Sequence, residues 1–291
     1  MTASLYVAAP CAQGVLRVSE KDAGVPAIEL RGVTKRFVSP TGKSFTALHD
    51  LDLAIAPGEF VAVVGPTGCG KSTTLALISG LEAPSAGTVS VFGEPVTSVG
   101  RNIGYVFQRD AVFPWKNVLD NVSMGPRLRG IDSEHANAEA RQWIARVGLD
   151  GFEKYYPHQL SGGMRKRVAL AQTLINHPKI LLMDEPFSAL DVQTRALMEN
   201  ELLDLWASTG ASVVFVTHDL EEAIGMADKV VVITAGPGTI KGTYKVDLPR
   251  PRNIAEIRFQ PRFIELYEEI WNDLRDEVLV SYERSKHRVA S

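Results

Sequence analysis

Eight consecutive residues, Gly65-Pro66-Thr67-Gly68-Cys69-Gly70-Lys71-Ser72, have the spacing G-x-x-x-x-G-K-[ST], and Thr73 follows them. The chemistry such a run supports is phosphate binding. Glycines let backbone N–H groups turn inward around phosphate oxygens. A helix opening at Lys71 adds partial positive charge at its N-terminus. Lys71 supplies a point charge for β- and γ-phosphates, and Ser72 a hydroxyl for Mg²⁺. Cys69 sits inside the loop. A thiol at a helix N-terminus can be activated, but the plainer expectation is a small residue filling a position that does no chemistry.

Two further runs could complete a site. Ile180-Leu181-Leu182-Met183-Asp184-Glu185-Pro186 is an apolar strand ending in two acids. Beside a phosphate loop, an Asp at such a strand end holds Mg²⁺, which leaves Glu185 free to polarise water. Leu160-Ser161-Gly162-Gly163-Met164 is a small-residue turn leading into a helix, with Arg165, Lys166 and Arg167 next. In isolation Ser-Gly-Gly reads as a plain N-cap. It is also a second anion site of the helix N-terminus type. One nucleotide does not need two such loops, so the natural account is a second chain, each loop capping the nucleotide held by the other.

The elements that must position these residues follow from the pattern. Ala27–Leu30 and the second half of Leu48–Ile55 alternate like strands, and Phe60–Val64 is a continuous apolar run that suits a strand buried on both faces. Lys71–Ile78 reads as a helix, then Thr88–Phe92 and Ile103–Phe107 as short strands. Residues 117–175 are helical by pattern, at Val118–Met124, Glu134–Val147 and Met164–Ile175. Strands return at Ile180–Met183, Ser212–Thr217 and Val230–Thr234, alternating with helices near 191–208 and 219–227. Alternation of this kind implies an α/β fold with parallel strands. At the C-terminus a helix over 261–280 places Phe263, Tyr267, Ile270, Trp271, Leu274 and Val278 on one face.

The 291 residues carry 31 Lys and Arg against 34 Asp and Glu, a net charge of −3. A general nucleic-acid binder is usually strongly basic, so no nucleic-acid partner is expected. Two cysteines, Cys11 and Cys69, are too few for a disulfide framework and point to a reducing compartment. The N-terminus has no Lys or Arg before Arg17, unlike a signal peptide, and no apolar run is long enough to span a bilayer.

Taken together, the motifs resemble one family: the ATP-binding subunits of ATP-binding-cassette (ABC) transporters. The run of matches is Gly65–Thr73, Gln108 in Tyr105-Val106-Phe107-Gln108, Leu160–Met164, Asp184-Glu185, Ser188-Ala189-Leu190-Asp191, and His218 in Val216-Thr217-His218-Asp219. It covers roughly residues 27–245. The family's Leu-Ser-Gly-Gly-Gln has Met164 in place of Gln, a change many importer subunits share. The resemblance implies a P-loop cassette. Its core sheet is mostly parallel and flanked by helices, with an N-terminal antiparallel β part and a helical subdomain inserted at about 109–175. The implied organisation is a disordered tail over 1–26, the ATPase domain over 27–260, and a C-terminal amphipathic helix and tail over 261–291.

The resemblance also implies roles. Gly65, Pro66, Thr67, Gly68, Cys69, Gly70, Lys71, Ser72 and Thr73 form the loop that holds ATP. Ser72, Gln108 and Asp184 serve Mg²⁺ directly or through water. Glu185 is the general base on the attacking water. His218 contacts the γ-phosphate and holds the active geometry. Ser161, Gly162 and Gly163 cap that phosphate across a head-to-tail homodimer, and Asp191 lies at the seam. Adenine stacks on an aromatic after the first strand, for which Phe37 is the first candidate and Phe45 the second.

Within the family, Phe113-Pro114-Trp115-Lys116-Asn117-Val118, Leu248-Pro249-Arg250-Pro251-Arg252 and the ending Phe263–Val278 resemble the importer subunits for nitrate, sulfonate and taurine. That branch implies two permease subunits, an external substrate-binding protein, and a place on the cytoplasmic face of a bacterial inner membrane. The segment after Gln108 is expected to help form the groove that receives a permease helix. The competing readings are an importer ATPase for another small nutrient and a soluble cassette ATPase acting on nucleic acid or ribosomes. The latter usually has tandem cassettes or long basic insertions, whereas one cassette is present here.

Overall fold

The computed structural model describes residues 24–109 and 111–289. Most of the expected tail, with Cys11, lies outside the described residues.

Two long strands open the fold, β1 (Ile28–Val38) and β2 (Ser44–Ile55), followed by β3 (Phe60–Val64). Both opening strands outrun the alternating stretches that predict them, because cross-strand pairing continues to Phe37↔Phe45 and Val38↔Ser44. Helix α1 (Lys71–Ser79), β4 (Ala86–Val91), the two-residue β5 (Glu94–Pro95) and β6 (Ile103–Val106) come next. A helical stretch then holds α2 (Val118–Val122), α3 (Met124–Leu128), α4 (Ser133–Arg146) and α5 (Gly162–Leu174). The single helix predicted over Val118–Met124 is therefore two, since Ser123 ends α2 and Pro126 is accommodated in the first turn of α3. The chain returns through β7 (Ile180–Asp184), α6 (Val192–Thr209), β8 (Ser212–Val216), α7 (Leu220–Met226) and β9 (Lys229–Ile233). It ends with β10 (Ile240–Lys245), α8 (Ile254–Ile257) and α9 (Pro261–Val289).

These strands form two sheets. One is antiparallel, in the order β2-β1-β4-β5. The other runs β10-β9-β3-β8-β7-β6 and is parallel except for the edge strand β10. Alternation along β3 explains why that strand is apolar throughout. Phe60, Ala62 and Val64 face a core shared with helices α2 and α4–α9, while Val61 and Val63 face one shared with α1 and the antiparallel sheet. No helix among the described residues is long and apolar enough to cross a membrane.

The C-terminal helix corrects one expectation. Its buried stripe is Phe263, Leu266, Ile270 and Leu274, whereas Trp271 and Val278 are 39% and 40% exposed. Steps of three, four and four residues keep one face inward. Trp271 falls beside that stripe, and by Val278 the contacts of the helix have become polar.

Candidate functional site

The parallel sheet gathers the site. Residues that follow β3, β6, β7 and β8 all emerge at the C-terminal ends of adjacent or near-adjacent strands, where open α/β sheets bind ligands. The glycine-rich loop leaves β3, Gln108 follows β6, Asp184 ends β7, and His218 follows β8.

Gly70 caps α1 at φ 103°, a left-handed conformation that favours glycine. A β-carbon there would also lie 2.5 Å from Leu48 Cδ2. The Lys71 ammonium is buried and donates to the carbonyl oxygens of Gly65 (2.8 Å) and Pro66 (3.1 Å). Cys69 is 1% exposed, and burial pushes its thiol up, with Lys71 opposing in part. That environment disfavours a thiolate and suits the expected filler.

Ser72 Oγ donates to Asp184 Oδ1 at 3.1 Å. Burial pushes the Asp184 carboxyl up, and the Ser72 hydrogen bond pulls it back. One residue on, Glu185 sits at φ 42°, a strained conformation for a side-chain-bearing residue. Its N–H is held by the Val216 carbonyl at 2.9 Å. Glu185 Oε2 lies 3.0 Å from His218 Nδ1 and accepts from Gln108 Nε2 at 3.4 Å. Glu185, His218 and Gln108, all singled out by sequence, thus meet across the ends of β7, β8 and β6, beside the Ser72–Asp184 pair.

Other candidates lie outside this cluster. Ser161 caps α5, its Oγ accepting from Met164 N–H at 3.2 Å, and Gly162 and Gly163 form the first turn. Asp191 caps α6 through Thr194 N–H at 3.0 Å, which holds its exposed carboxyl below the usual range. Within one chain, both residues do what a plain N-cap does. Phe37 and Phe45 are direct cross-strand partners, 37% and 47% exposed, so they share one face of the hairpin. The Lys35 ammonium lies 4.9 Å from the Phe37 ring centre.

Two connections escape the sequence reading. Lys166 on α5 is buried and donates to the Gln108 carbonyl at 3.2 Å, tying the helix that Ser161 caps to the segment after β6. In the sequence it is one cation in a basic run. Arg195 on α6 donates to Asp219 Oδ2 (3.1 Å) and to the Leu190 carbonyl (3.2 Å), linking the Asp191 turn to the His218 turn. No sequence signal marks that pairing, because the partners are 24 residues apart.

The donor set fits a magnesium ion. Ser72 Oγ, the Asp184 carboxylate and the Gln108 amide are hard oxygen donors. They are too few for an all-protein cage, as expected of an ion shared with substrate phosphates. Among the described residues, no three His, Cys, Asp or Glu side chains form a metal cluster.

Comparison with known proteins bears on the family and the fold. The family described as ABC transporter matches residues 48–188. An uncharacterized ABC transporter ATP-binding protein of Methanocaldococcus jannaschii is 45% identical over 264 residues, 91% of this chain and 97% of the relative. The nitrate import ATP-binding protein NrtD of Synechocystis is 42% identical over 253 residues, 85% of this chain and 95% of the relative. The taurine import ATP-binding protein TauB of Burkholderia thailandensis is 42% identical over 228 residues, 77% and 88% respectively. A solved dimeric ATP-binding cassette, in a post-hydrolysis state with ADP and Pi, superposes with a TM-score of 0.68 at 31% identity, covering 76% of this chain and all of that one. The chain belongs to the ABC transporter family, as one of its ATP-binding proteins.

Proposed function

We propose that this chain hydrolyses ATP to drive import of a small anion, such as nitrate, a sulfonate or taurine, through a partner permease. The observation that carries the hydrolytic reading is Glu185. One of its carboxylate oxygens is held by both His218 and Gln108, beside the Ser72–Asp184 pair.

The residues divide the work as follows. The glycine-rich loop cradles the triphosphate with backbone N–H groups, and Lys71 leaves the Gly65 and Pro66 carbonyls for the β- and γ-phosphates. Ser72, Asp184 and Gln108 would hold Mg²⁺, which neutralises charge on the phosphate oxygens. Glu185 accepts a proton from the attacking water as its oxygen bonds to the γ-phosphorus, and the bond to ADP breaks. His218 fixes the Glu185 carboxylate and reaches the γ-phosphate. A second copy, arranged head to tail, brings Ser161, Gly162 and Gly163 to that phosphate, with Asp191 at the seam. Phe37 or Phe45 stacks on adenine.

Docking beneath two permease subunits, on the cytoplasmic face of a bacterial inner membrane, is supported by an apolar surface after β6. A depression of about 380 Å³ is lined by Phe107, Ala111, Leu128 and Arg129, among others. Phe107 and Leu128 in its lining are 44% and 81% exposed, and Trp115, eight residues after Phe107 in the chain, is 71% exposed. Relatives named for nitrate and taurine import favour this reading over a nucleic-acid or ribosome ATPase. The test is to purify the tagged chain from native membranes in mild detergent and identify what accompanies it. A multi-span permease is the expected companion. Recovery only with ribosomal or DNA-associated proteins would overturn the transport reading.

A further inference from the structure

The nucleotide loop is braced by a segment that no motif marks. The turn after β9, residues 234–239, packs directly on it. A β-carbon on Gly238 would lie 2.1 Å from the Cys69 carbonyl oxygen, so the two backbones touch there and only glycine fits. A β-carbon on Gly65 would lie 2.8 Å from the Ile233 carbonyl oxygen. The same turn is joined to β2: Gly238 N–H donates to the Ala47 carbonyl (2.8 Å), and His49 N–H to the Gly238 carbonyl (2.9 Å). Ala47 is two residues from Phe45. One turn therefore touches both the phosphate loop and the strand that carries an adenine-stacking candidate.

Helix α9 grips this turn from outside. Glu277 Oε2 accepts from Ala235 N–H at 2.7 Å. Arg284 Nη1 donates to the Ala235 carbonyl at 3.2 Å and also to the Gly236 carbonyl. The other oxygen of Glu277 pairs with Lys241 at 2.9 Å, a contact to β10 that does not involve the turn. These polar contacts begin where the buried apolar stripe of α9 ends, at Leu274. Burying more of the core does not require the helix to run that far.

We propose that the last turns of α9 are a strap that sets the position of the nucleotide loop, with Glu277 and Arg284 as positioning residues for ATP binding. This rests on the reading of residues 65–73 as the nucleotide loop. Neither residue touches nucleotide. Each acts by fixing the 234–239 turn, whose Gly238 and Gly236 lie against the Cys69 and Gly68 carbonyls of the loop.

The experiment is titration of the full chain with ATP, read as Kd, together with the kcat of hydrolysis at saturating ATP. Glu277→Ala, which loses one hydrogen bond to the turn, is expected to weaken ATP binding about fivefold, and Arg284→Ala, which loses two, at least as much, with little change in kcat. Glu277→Gln keeps an oxygen for Ala235 N–H and is expected to restore binding. Lys241→Met removes the ion pair but leaves the turn gripped, and is expected to bind ATP like wild type. Wild-type affinity in both alanine variants would overturn the strap. So would equal weakening in Glu277→Ala and Lys241→Met, which would reduce the helix to general stability. Lys71→Ala separates the two readings: if it binds ATP as well as wild type, the nucleotide-loop assignment itself fails.

Discussion

Glu185 and His218 meet at the C-terminal edge of the parallel sheet, with Glu185 Oε2 3.0 Å from His218 Nδ1. The contact joins the end of β7 to the end of β8, which pair directly through Asp184↔Val216. A carboxylate held this way has a fixed orientation and remains an acceptor, as the proposed base role requires. Glu185→Gln is expected to lower turnover by a factor on the order of 10²–10⁴, the range for a lost general base. ATP affinity should stay near wild type. Phosphate release and nucleotide titration check this, and full hydrolysis in the variant would remove Glu185 from the role.

Ser161 caps α5 in the single chain, so its proposed second task lies between two chains. Ser161→Arg is expected to leave ATP binding by the monomer intact, because the Ser161 side chain is used within its own chain as the cap of α5, through Met164 N–H. The bulk and charge should block ATP-dependent pairing. Light scattering with ATP in the Glu185→Gln background reads this directly. A dimer in the doubly substituted chain would contradict the trans arrangement.

The Cys69 thiol is buried against Gly65, whose β-carbon, if present, would lie 2.7 Å from Sγ. Its pKa is raised by burial, so little thiolate exists near neutral pH. Alkylation at Cys69, followed by mass spectrometry at pH 7.5, is expected to be much slower than that of free cysteine. Once alkylated, the loop should lose nucleotide by bulk alone. Cys69→Ser is expected to hydrolyse ATP. Loss of hydrolysis in that variant would assign the sulfur a chemical part.

One buried acid is expected to make stability fall as pH rises from about 4.5 toward about 8. Glu199 on α6 is 3% exposed. Burial, then the charges of Glu222 and Asp219, push its carboxyl up to about 8 from an ordinary 4.5. The folded chain keeps this proton where the unfolded chain has released it. Its contribution is full below pH 4.5 and is lost as pH rises through about 8. Glu199→Gln is expected to flatten the fall in Tm between pH 5.5 and 8.5 and to raise Tm at the upper end. Parallel Tm–pH curves for the two proteins would refute the assignment.

Arg252 explains part of a stretch that the sequence marks only by resemblance. Its Nη1 donates to the carbonyls of Ile224 (3.3 Å), Gly225 (3.2 Å) and Ala227 (2.7 Å), and Nη2 to those of Val246 (3.5 Å) and Leu248 (3.0 Å). Burial pulls the guanidinium down to about 10. Arg252→Met leaves those buried carbonyls without a donor and is expected to cost about 2–4 kcal/mol. A lower urea midpoint with unchanged ATP affinity in the folded fraction is the expected result. An unchanged midpoint would show that the carbonyls find other donors.

The sequence by itself determined the glycine-rich loop before α1, the Asp184-Glu185 strand end, the second glycine turn and the alternation of strands and helices. Each is a local property. Glycine spacing, an apolar run and a capping serine act within a few residues, so their order along the chain is enough. Pairing decided the rest. That Glu185, His218 and Gln108 converge follows from the strand order β3-β8-β7-β6, which no local pattern contains. Phe37 and Phe45 look like alternatives in sequence, yet the hairpin register puts them side by side. Lys166 reaching the Gln108 carbonyl and Glu277 holding the turn beside the phosphate loop span 58 and 42 residues. Such contacts have no sequence signature, because a lone charged residue reads the same in water as against a distant backbone, and only the packed chain selects its partner.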